Sequence, residues 1–498
     1  MMASSEQNSD SESDANMTAD QQERIAYIEQ QIAPLASGAD EGGQHGQRRP
    51  LAEVMVAAGV PGIGVAVIDG GRVAWARGYG VALADEPTPV TAETLFQGAS
   101  ISKPVAAVMA LRLVEAGALT LDGDVNERLT SWRIPAIPYW GDQGRAEWRP
   151  RITLRQLISH TAGLTVHGFP GYPVGASLPT LPQILDGAPP ANTPPIRVDA
   201  LPGAQMRYSG GGYTVLTQLL EDVTGKPFAE LARELVLGPL GMASGGFEQP
   251  LPPERAALAA RAHHAAAQPV PGGWHVYPEL APAGLWATPT DLARFALGLQ
   301  AAMAGTPGAI LSQATMRDMM APQAPEEGVD AVGLGVFLLG AGETARFGHT
   351  GGNEGFNCEL TAYQRRGQGA VVMTNGDGGW LALKAILNTI AEAYEWPDYT
   401  PFRMSRAWGA GADAATLATY VGQYADDAGR RCAITQEVDG LRLAFGDQPP
   451  LPLEPDDDGA YAVEALKATV TFAATNGDQP TTLTLRQNRR AITLRKRG

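Results

Sequence analysis

Cysteine is nearly absent: Cys358 and Cys432 are the only two in 498 residues, and they are far apart. They fall in segments that read as different domains, so no disulfide framework is expected and both are assigned as buried thiols. Long apolar runs are missing as well. No stretch of about 18 or more uninterrupted apolar residues offers a membrane span. Positive charge is scarce: a net charge of -16 and a pI near 4.9 exclude a basic face for nucleic acid or an anionic membrane. The stretch from Met1 to Asp20 is polar and acidic, with no basic region followed by an apolar one. It reads as lacking a secretory signal, and a cytoplasmic location is expected. Several catalytic signatures are also missing. There is no G-x-S-x-G elbow, no P-loop and no Gly-rich dinucleotide fingerprint. His263-His264 has neither metal-ligand spacing nor an adjacent carboxylate. Neither a metal nor a cofactor is therefore expected.

What is present is ordinary globular composition, 44% apolar and 18% charged, in a chain long enough for two or three domains. Residues 1–49 read as a disordered acidic tail to about Met17, a short amphipathic helix and a linker. Thr18 with Gln21 resembles a capping box, and Ile25, Ile28 and Ile32 fall on one face. The main domain is assigned to 50–397. It opens with a helix from Leu51 to Ala58 and a hairpin, Ile63–Ile68 and Arg72–Tyr79, around Asp69-Gly70-Gly71. A long region of helix patterns and Pro-rich loops follows to about Gln300, with helices read at Thr153–Ser159, at Tyr213–Val223 and after Thr288. Strand periodicity returns at Val332–Leu339, Ala345–Thr350, Gly355–Tyr363 and Ala370–Thr374, before a long apolar helix from Trp380 to Tyr394. This order predicts an α+β domain in which the two strand groups form one antiparallel sheet, flanked by helices and carrying a large helical insert. Residues 398–413 read as a linker. Residues 414–498, with turns at Asp439-Gly440, Asp456-Asp457-Asp458-Gly459 and Asn476-Gly477, read as a small all-β unit of barrel type.

The chemistry starts at Ser100-Ile101-Ser102-Lys103, where apolar residues at helical spacing run from Val105 to Val114 and Gly117 supplies a stop. A helix from Ser100 places the hydroxyl and the Lys103 ammonium on one face. Its N-terminal amides and dipole favour an alkoxide on Ser100 and an oxyanion beside it. Taken alone, S-x-x-K is more often a helix cap followed by a solvated Lys. Lysine is rare here beside arginine, however, and no other Lys follows a Ser by three. A nucleophile needs partners, and two later segments offer them. Tyr208, in Tyr208-Ser209-Gly210, stands just before a helix and could take the Ser proton if nearby cations lower its pKa. His349-Thr350-Gly351-Gly352 ends a strand pattern where glycines admit a ligand to the backbone. His160 reads as hydrogen-bonded to a loop rather than as a base.

These three segments, in this order and separation, resemble the motifs of the penicillin-recognising serine hydrolases, specifically the class C β-lactamase-like family. Leu119-Thr120-Leu121-Asp122, Pro239-Leu240-Gly241-Met242 and Val372-Met373-Thr374-Asn375 also resemble family phrases, and the likeness covers roughly Pro50 to Trp396. It implies an acyl-enzyme on Ser100, proton traffic shared by Lys103 and Tyr208, and an oxyanion hole from the N–H groups of Ser100 and Gly352, with His349, Thr350 and Gly351 at the substrate. His349 stands where many members carry Lys, and Gly210 where an Asn that contacts the substrate amide is usual. Both departures argue against a dedicated β-lactamase and leave ester cleavage open. The C-terminal unit resembles, more loosely, lipocalin-like domains of some members. The resulting expectation is a metal-independent serine hydrolase acting on an ester or peptide-like amide, with a small molecule or peptide as substrate. A β-lactamase or D-amino-acid peptidase, an acyltransferase and a silent ligand-binding member stand as alternatives. The oligomeric state is not readable.

Overall fold

The computed structural model describes residues 17–35, 47–403 apart from 85, 142–143 and 327–328, and, further on, 417, 419–427, 429–437, 440–445, 450–455, 460–463, 468–473, 481–487 and 490–497. The disorder predicted for 1–17, the linkers and the turns at 456–459 and 476–477 fall wholly or largely outside these residues. The chain divides into two compact units, one of 49–400 with 1–33 and one of 401–498 with 34–48.

The larger unit is built on a nine-stranded antiparallel sheet. Its strands are β1 (Gly62–Asp69), β2 (Arg72–Leu83), β3 (Glu86–Pro89), β4 (Ala324–Glu326), β5 (Val329–Val332), β6 (Phe337–Leu339), β7 (Arg346–Asn353), β8 (Phe356–Tyr363) and β9 (Gly369–Thr374). The order is β4-β5-β6-β7-β8-β9-β1-β2-β3, so the N-terminal hairpin and the late meander join as one sheet through β1 and β9, with Ile63 opposite Thr374. The β1–β2 turn uses Gly70 and Gly71, both at positive φ, as a two-residue hairpin of this twist requires. Residues 62–68 of β1 are buried, which means both faces are covered. Ala66, Ile68, Val371 and Met373 join the main core. Val65, Val67, Ala370 and Val372 are equally buried and alternate with them along the strands.

Sequence periodicity suggested one strand from Val332 to Leu339. The structure has two, because Gly333-Leu334-Gly335 leaves the ladder: Leu334 N–H donates to the Met319 carbonyl and Gly335 sits at φ 87°. The break delivers Phe337 to the site described below.

Six helices matter here: α1 (Ala19–Gln30), α2 (Leu51–Ala58), α3 (Ser102–Glu115), α4 (Gly210–Thr224), α5 (Pro289–Ala304) and α6 (Gly379–Ala393). Helix α3 is apolar on nearly every face and buried along its length, a central helix rather than a surface one. Helix α5 starts at a Thr288/Asp291 capping box with Pro289 in its first turn and stops at Gly305, φ 73°. Helix α1 has the predicted Thr18/Gln21 capping box. Patterning set α1 apart from the domain, yet it belongs to the same compact unit. Ile25, Ile28 and Ile32 are at most 2% exposed, each burial worth roughly 1.5–3 kcal/mol. Arg24 reaches the Ala393 carbonyl and Tyr27 reaches Glu392, both at α6.

The smaller unit is a closed antiparallel barrel running from Gly422–Ala425 to Arg490–Arg497, its first and last strands paired through Tyr424 and Lys496. Tyr424, Ile434, Leu443, Val463, Val470, Leu483 and Leu494 are buried together, so side chains fill its interior. Cys358 and Cys432 are free and buried. No described helix is long and apolar enough to cross a membrane.

Candidate active site

The first turn of the Ser100 segment differs from the expected α-helix. Ala99–Ile101 form a 3-10 turn and the α-helix begins at Ser102. Ala99 holds φ 44°, a left-handed conformation that costs a non-glycine residue about 1–3 kcal/mol. Its neighbours keep it there. Gly98 N–H donates to the Leu285 carbonyl at 2.7 Å. The Ser102 hydroxyl donates to the Ala99 carbonyl at 2.5 Å and accepts from Leu285 N–H at 2.9 Å. Ser102, buried and engaged on both sides, is structural, and the turn presents Ser100 instead. Strand β7 lies directly against this turn because residue 351 is Gly: a Cβ there would stand 2.7 Å from the Gly98 carbonyl oxygen and 2.6 Å from Cys358 Sγ.

Lys103 follows one turn later and is 2% exposed. Its Nζ lies 2.9 Å from Ser100 Oγ and 2.8 Å from the Pro282 carbonyl, with no carboxylate partner among the described residues. Burial pushes the ammonium down to about 7, so near neutral pH much of the population carries a free amine that can accept a proton. The rings of Tyr208 and Tyr213 stand 4.8 and 5.8 Å from Nζ.

Burial raises the Tyr208 phenol above the usual value, outweighing the Ser100 hydroxyl, which favours ionisation. The expectation that cations would lower it does not hold, because desolvation dominates; Tyr208 is a proton donor in the resting state. His160 forms the shelf beneath it, its ring stacked at 4.3 Å. His160 Nδ1 accepts Ser209 N–H at 3.1 Å, and burial followed by the Lys103 charge holds its pKa well below the ordinary value. The loop-bonding role read for His160 from sequence is the one observed. Ser209 caps α4, accepting Gly212 N–H at 2.9 Å. Gly210 and Gly211 N–H groups then donate to the carbonyls of His167 and Val166. A Cβ on Gly210 would come within 2.9 Å of Phe169 Cε2 and 3.0 Å of the His167 oxygen. The loop 165–169 thus occupies the space that a side chain at 210 would need.

His349 sits on β7, buried, with Nδ1 2.5 Å from the Thr350 carbonyl. Burial, and secondarily the Lys103 charge, push it down to about 3. The imidazole is neutral at physiological pH, with Nδ1 carrying the proton.

These groups line one cleft of about 400 Å³, which brings together Ser100, Lys103, Tyr208, His349, Thr350 and Gly352 from the candidates read in the sequence. Gly351 backs the serine turn instead of lining the cleft. The remaining wall comes from Gly210 of the Tyr208 motif and from residues the motifs did not single out: His167, Gly168, Phe169, Pro282, Ala283, Glu326, Phe337 and Asn353. Phe337 and Glu326 carried no sequence signal, since only sheet order brings β4 and β6 to β7. Asn353 is tied down, donating to the Gln97 side chain at 2.7 Å and the Ala283 carbonyl at 3.2 Å. Among the described residues no cluster of three or more His, Cys, Asp or Glu is arranged to hold a metal ion.

Known proteins share sequence and fold with this chain. Penicillin-binding protein 4* of Bacillus subtilis (strain 168) is 23% identical over 434 residues, covering 82% of this chain and 89% of its own. Esterase EstB of Burkholderia gladioli is 32% identical over 197 residues, 38% of this chain and 47% of that protein. The solved octameric penicillin-binding protein homologue from Pyrococcus abyssi shares the fold with a TM-score of 0.58 at 21% identity, over 89% of this chain and 98% of its own. The beta-lactamase family model matches residues 48–393, which hold every cleft residue named above, and the chain therefore belongs to the beta-lactamase family of serine hydrolases.

Proposed function

We propose that this serine hydrolase forms its acyl-enzyme on Ser100 and acts on esters in preference to β-lactams. The observation that carries the assignment is the Ser100–Lys103 pair: a hydroxyl 2.9 Å from a buried amine whose pKa has fallen to about 7. The neutral Lys103 amine takes the Ser100 proton as Oγ attacks the substrate carbonyl carbon. The backbone N–H groups of Ser100 and Gly352 receive the oxyanion. Tyr208 donates its phenol proton to the departing alkoxide, and the Lys103 ammonium restores it. Water then attacks the acyl-enzyme, giving a proton to the Lys103 amine, and Ser100 leaves with a proton returned through the same pair.

Two features support ester preference. A β-lactam or D-peptide presents a carboxylate, and His349 is neutral where a cation would meet it. Gly210 and the packed Phe169 leave no amide side chain beside Tyr208. The name of the Burkholderia relative, an esterase, points the same way.

Ser100→Ala should reduce hydrolysis of a chromogenic ester by at least about a thousandfold, and mass spectrometry of quenched wild-type enzyme should show one acyl group on the peptide holding Ser100. Turnover retained in the variant would remove Ser100 from the mechanism.

A further inference from the structure

The two peptide N–H groups that flank Tyr208 both end on His160. Arg207 N–H donates to the His160 carbonyl at 2.8 Å, and Ser209 N–H donates to its Nδ1 at 3.1 Å. The imidazole also stacks on the Tyr208 ring, with centroids 4.3 Å apart and planes 28° from parallel. Tyr213 backs the imidazole at 5.2 Å and is itself pinned, its hydroxyl donating to the Ile158 carbonyl at 3.0 Å. His160 is 3% exposed and holds φ 59°, a left-handed conformation uncommon in residues other than glycine. Because Nδ1 accepts from Ser209, the ring proton sits on Nε2. A second proton on Nδ1 would cancel that bond, and burial, followed by the Lys103 charge, keeps it off.

We infer that His160 is a positioning residue for the reaction: it clamps residues 207 and 209 and supports the Tyr208 ring, which aims the phenol at the leaving group beside Ser100. This rests on the Ser100 hydrolase reading and on the proton donation assigned there to Tyr208. His160 lies behind Tyr208, outside the cleft lining, and acts through it. As the carbonyl carbon–oxygen bond breaks, the electron pair leaves with the alkoxide oxygen, the phenol proton passes to that oxygen, and the Lys103 ammonium returns a proton to the phenolate. A misplacement of about 1 Å at such a group costs on the order of a hundredfold in rate.

The test uses the full chain and two butyrate esters. Methoxide needs the Tyr208 proton as it leaves the methyl ester, whereas p-nitrophenolate departs as the anion. His160→Gly suits the left-handed backbone while removing ring and acceptor. It should lower kcat/KM about 30- to 100-fold for the methyl ester and no more than about threefold for the p-nitrophenyl ester. His160→Phe, which keeps a ring and loses the acceptor, should show the same split and serves if the Gly variant does not fold. His160→Asn, whose Oδ1 can stand where Nδ1 does, should hold the ratio of the two esters within about fivefold of wild type. In a Tyr208→Phe background, where the donor is already gone, His160→Gly should leave that ratio unmoved. An equal fall on both esters, a split in His160→Asn as large as in His160→Gly, or a ratio that still moves without the Tyr208 hydroxyl overturns the positioning role. One arm needs no turnover: long-range proton–nitrogen NMR near neutral pH should show His160 as the Nε2–H tautomer, its signal assigned by loss in His160→Asn, and an Nδ1–H tautomer overturns the clamp. Turnover retained in Ser100→Ala is a separate result, which removes the hydrolase reading itself.

Discussion

At the scale of single residues, the site depends on burial changing what Lys103 and His349 are. Lys103 has no counter-ion among the described residues, and desolvation alone lowers it to about 7. The acid limb of kcat/KM should therefore rise with an apparent pKa near 7, and His349, pushed down to about 3, should add no inflection between about pH 4 and 9. A pH–rate profile with an ester substrate checks both. The same shift has a stability cost with a definite sign. The unfolded chain keeps the Lys103 proton up to about 10.5 while the folded one releases it near 7, so between these values the unfolded state binds more protons. This contribution to stability is lost as pH falls toward 7 and recovered as pH rises toward 10.5. Lys103→Met, which keeps the stem and removes the charge, should raise the thermal midpoint at pH 6 by an amount equivalent to roughly 1–3 kcal/mol while lowering ester turnover about 10²–10⁴-fold. A lower midpoint at pH 6 would contradict the picture of an unpaired buried amine.

At the scale of elements, the site is a meeting of three termini: the turn before α3, the start of α4 and the end of β7. Each is shaped by close packing against backbone. Gly351 lets β7 touch the serine turn, and Gly210 lets the loop 165–169 lie on the start of α4. Gly210→Asn should therefore destabilise the protein by about 1–3 kcal/mol, because its Cβ would stand 2.9 Å from Phe169 Cε2. Phe169→Ala in the same chain should recover part of that loss, a coupling that a double-mutant cycle of chemical denaturation measures. Additive effects would show that Phe169 does not fill the place of the missing side chain. Most elements here were legible in advance. The capping boxes at Thr18 and Thr153, the Asp69-Gly70-Gly71 hairpin and the helix after Pro289 are local, each set by a side chain and the backbone within one turn of it. The departures share a cause. The 3-10 turn at Ala99–Ile101 and the break at Gly333–Gly335 are both held by hydrogen bonds to distant backbone, from the Leu285 and Met319 regions, which periodicity does not register.

At the scale of the whole molecule, every cleft residue lies in the unit of residues 49–400, and the barrel has its own buried core. A chain ending at residue 403 should keep ester kcat/KM within about threefold of the full protein, and differential scanning calorimetry of the full chain should resolve more than one transition. A truncated chain that folds, by circular dichroism, but loses activity would assign the barrel a part in the reaction.

The sequence by itself determined the candidate set for the proposed reaction. Ser100 and Lys103 share a face because three residues separate them, and the Tyr208 and His349 segments are recognisable because strand ends and glycines mark them. It also led to the expectation that the two strand groups form one antiparallel sheet, while the pairing of β1 with β9 came from the structure. Only the tertiary structure decided the protonation states and the walls. A lysine that is solvated on an isolated helix becomes an amine when α4 and the 277–285 loop exclude water from it, and Phe169, Glu326 and Phe337 become one cleft wall only when loop, edge strand and sheet converge. Desolvation and enclosure are properties of many residues at once, and no local pattern carries them.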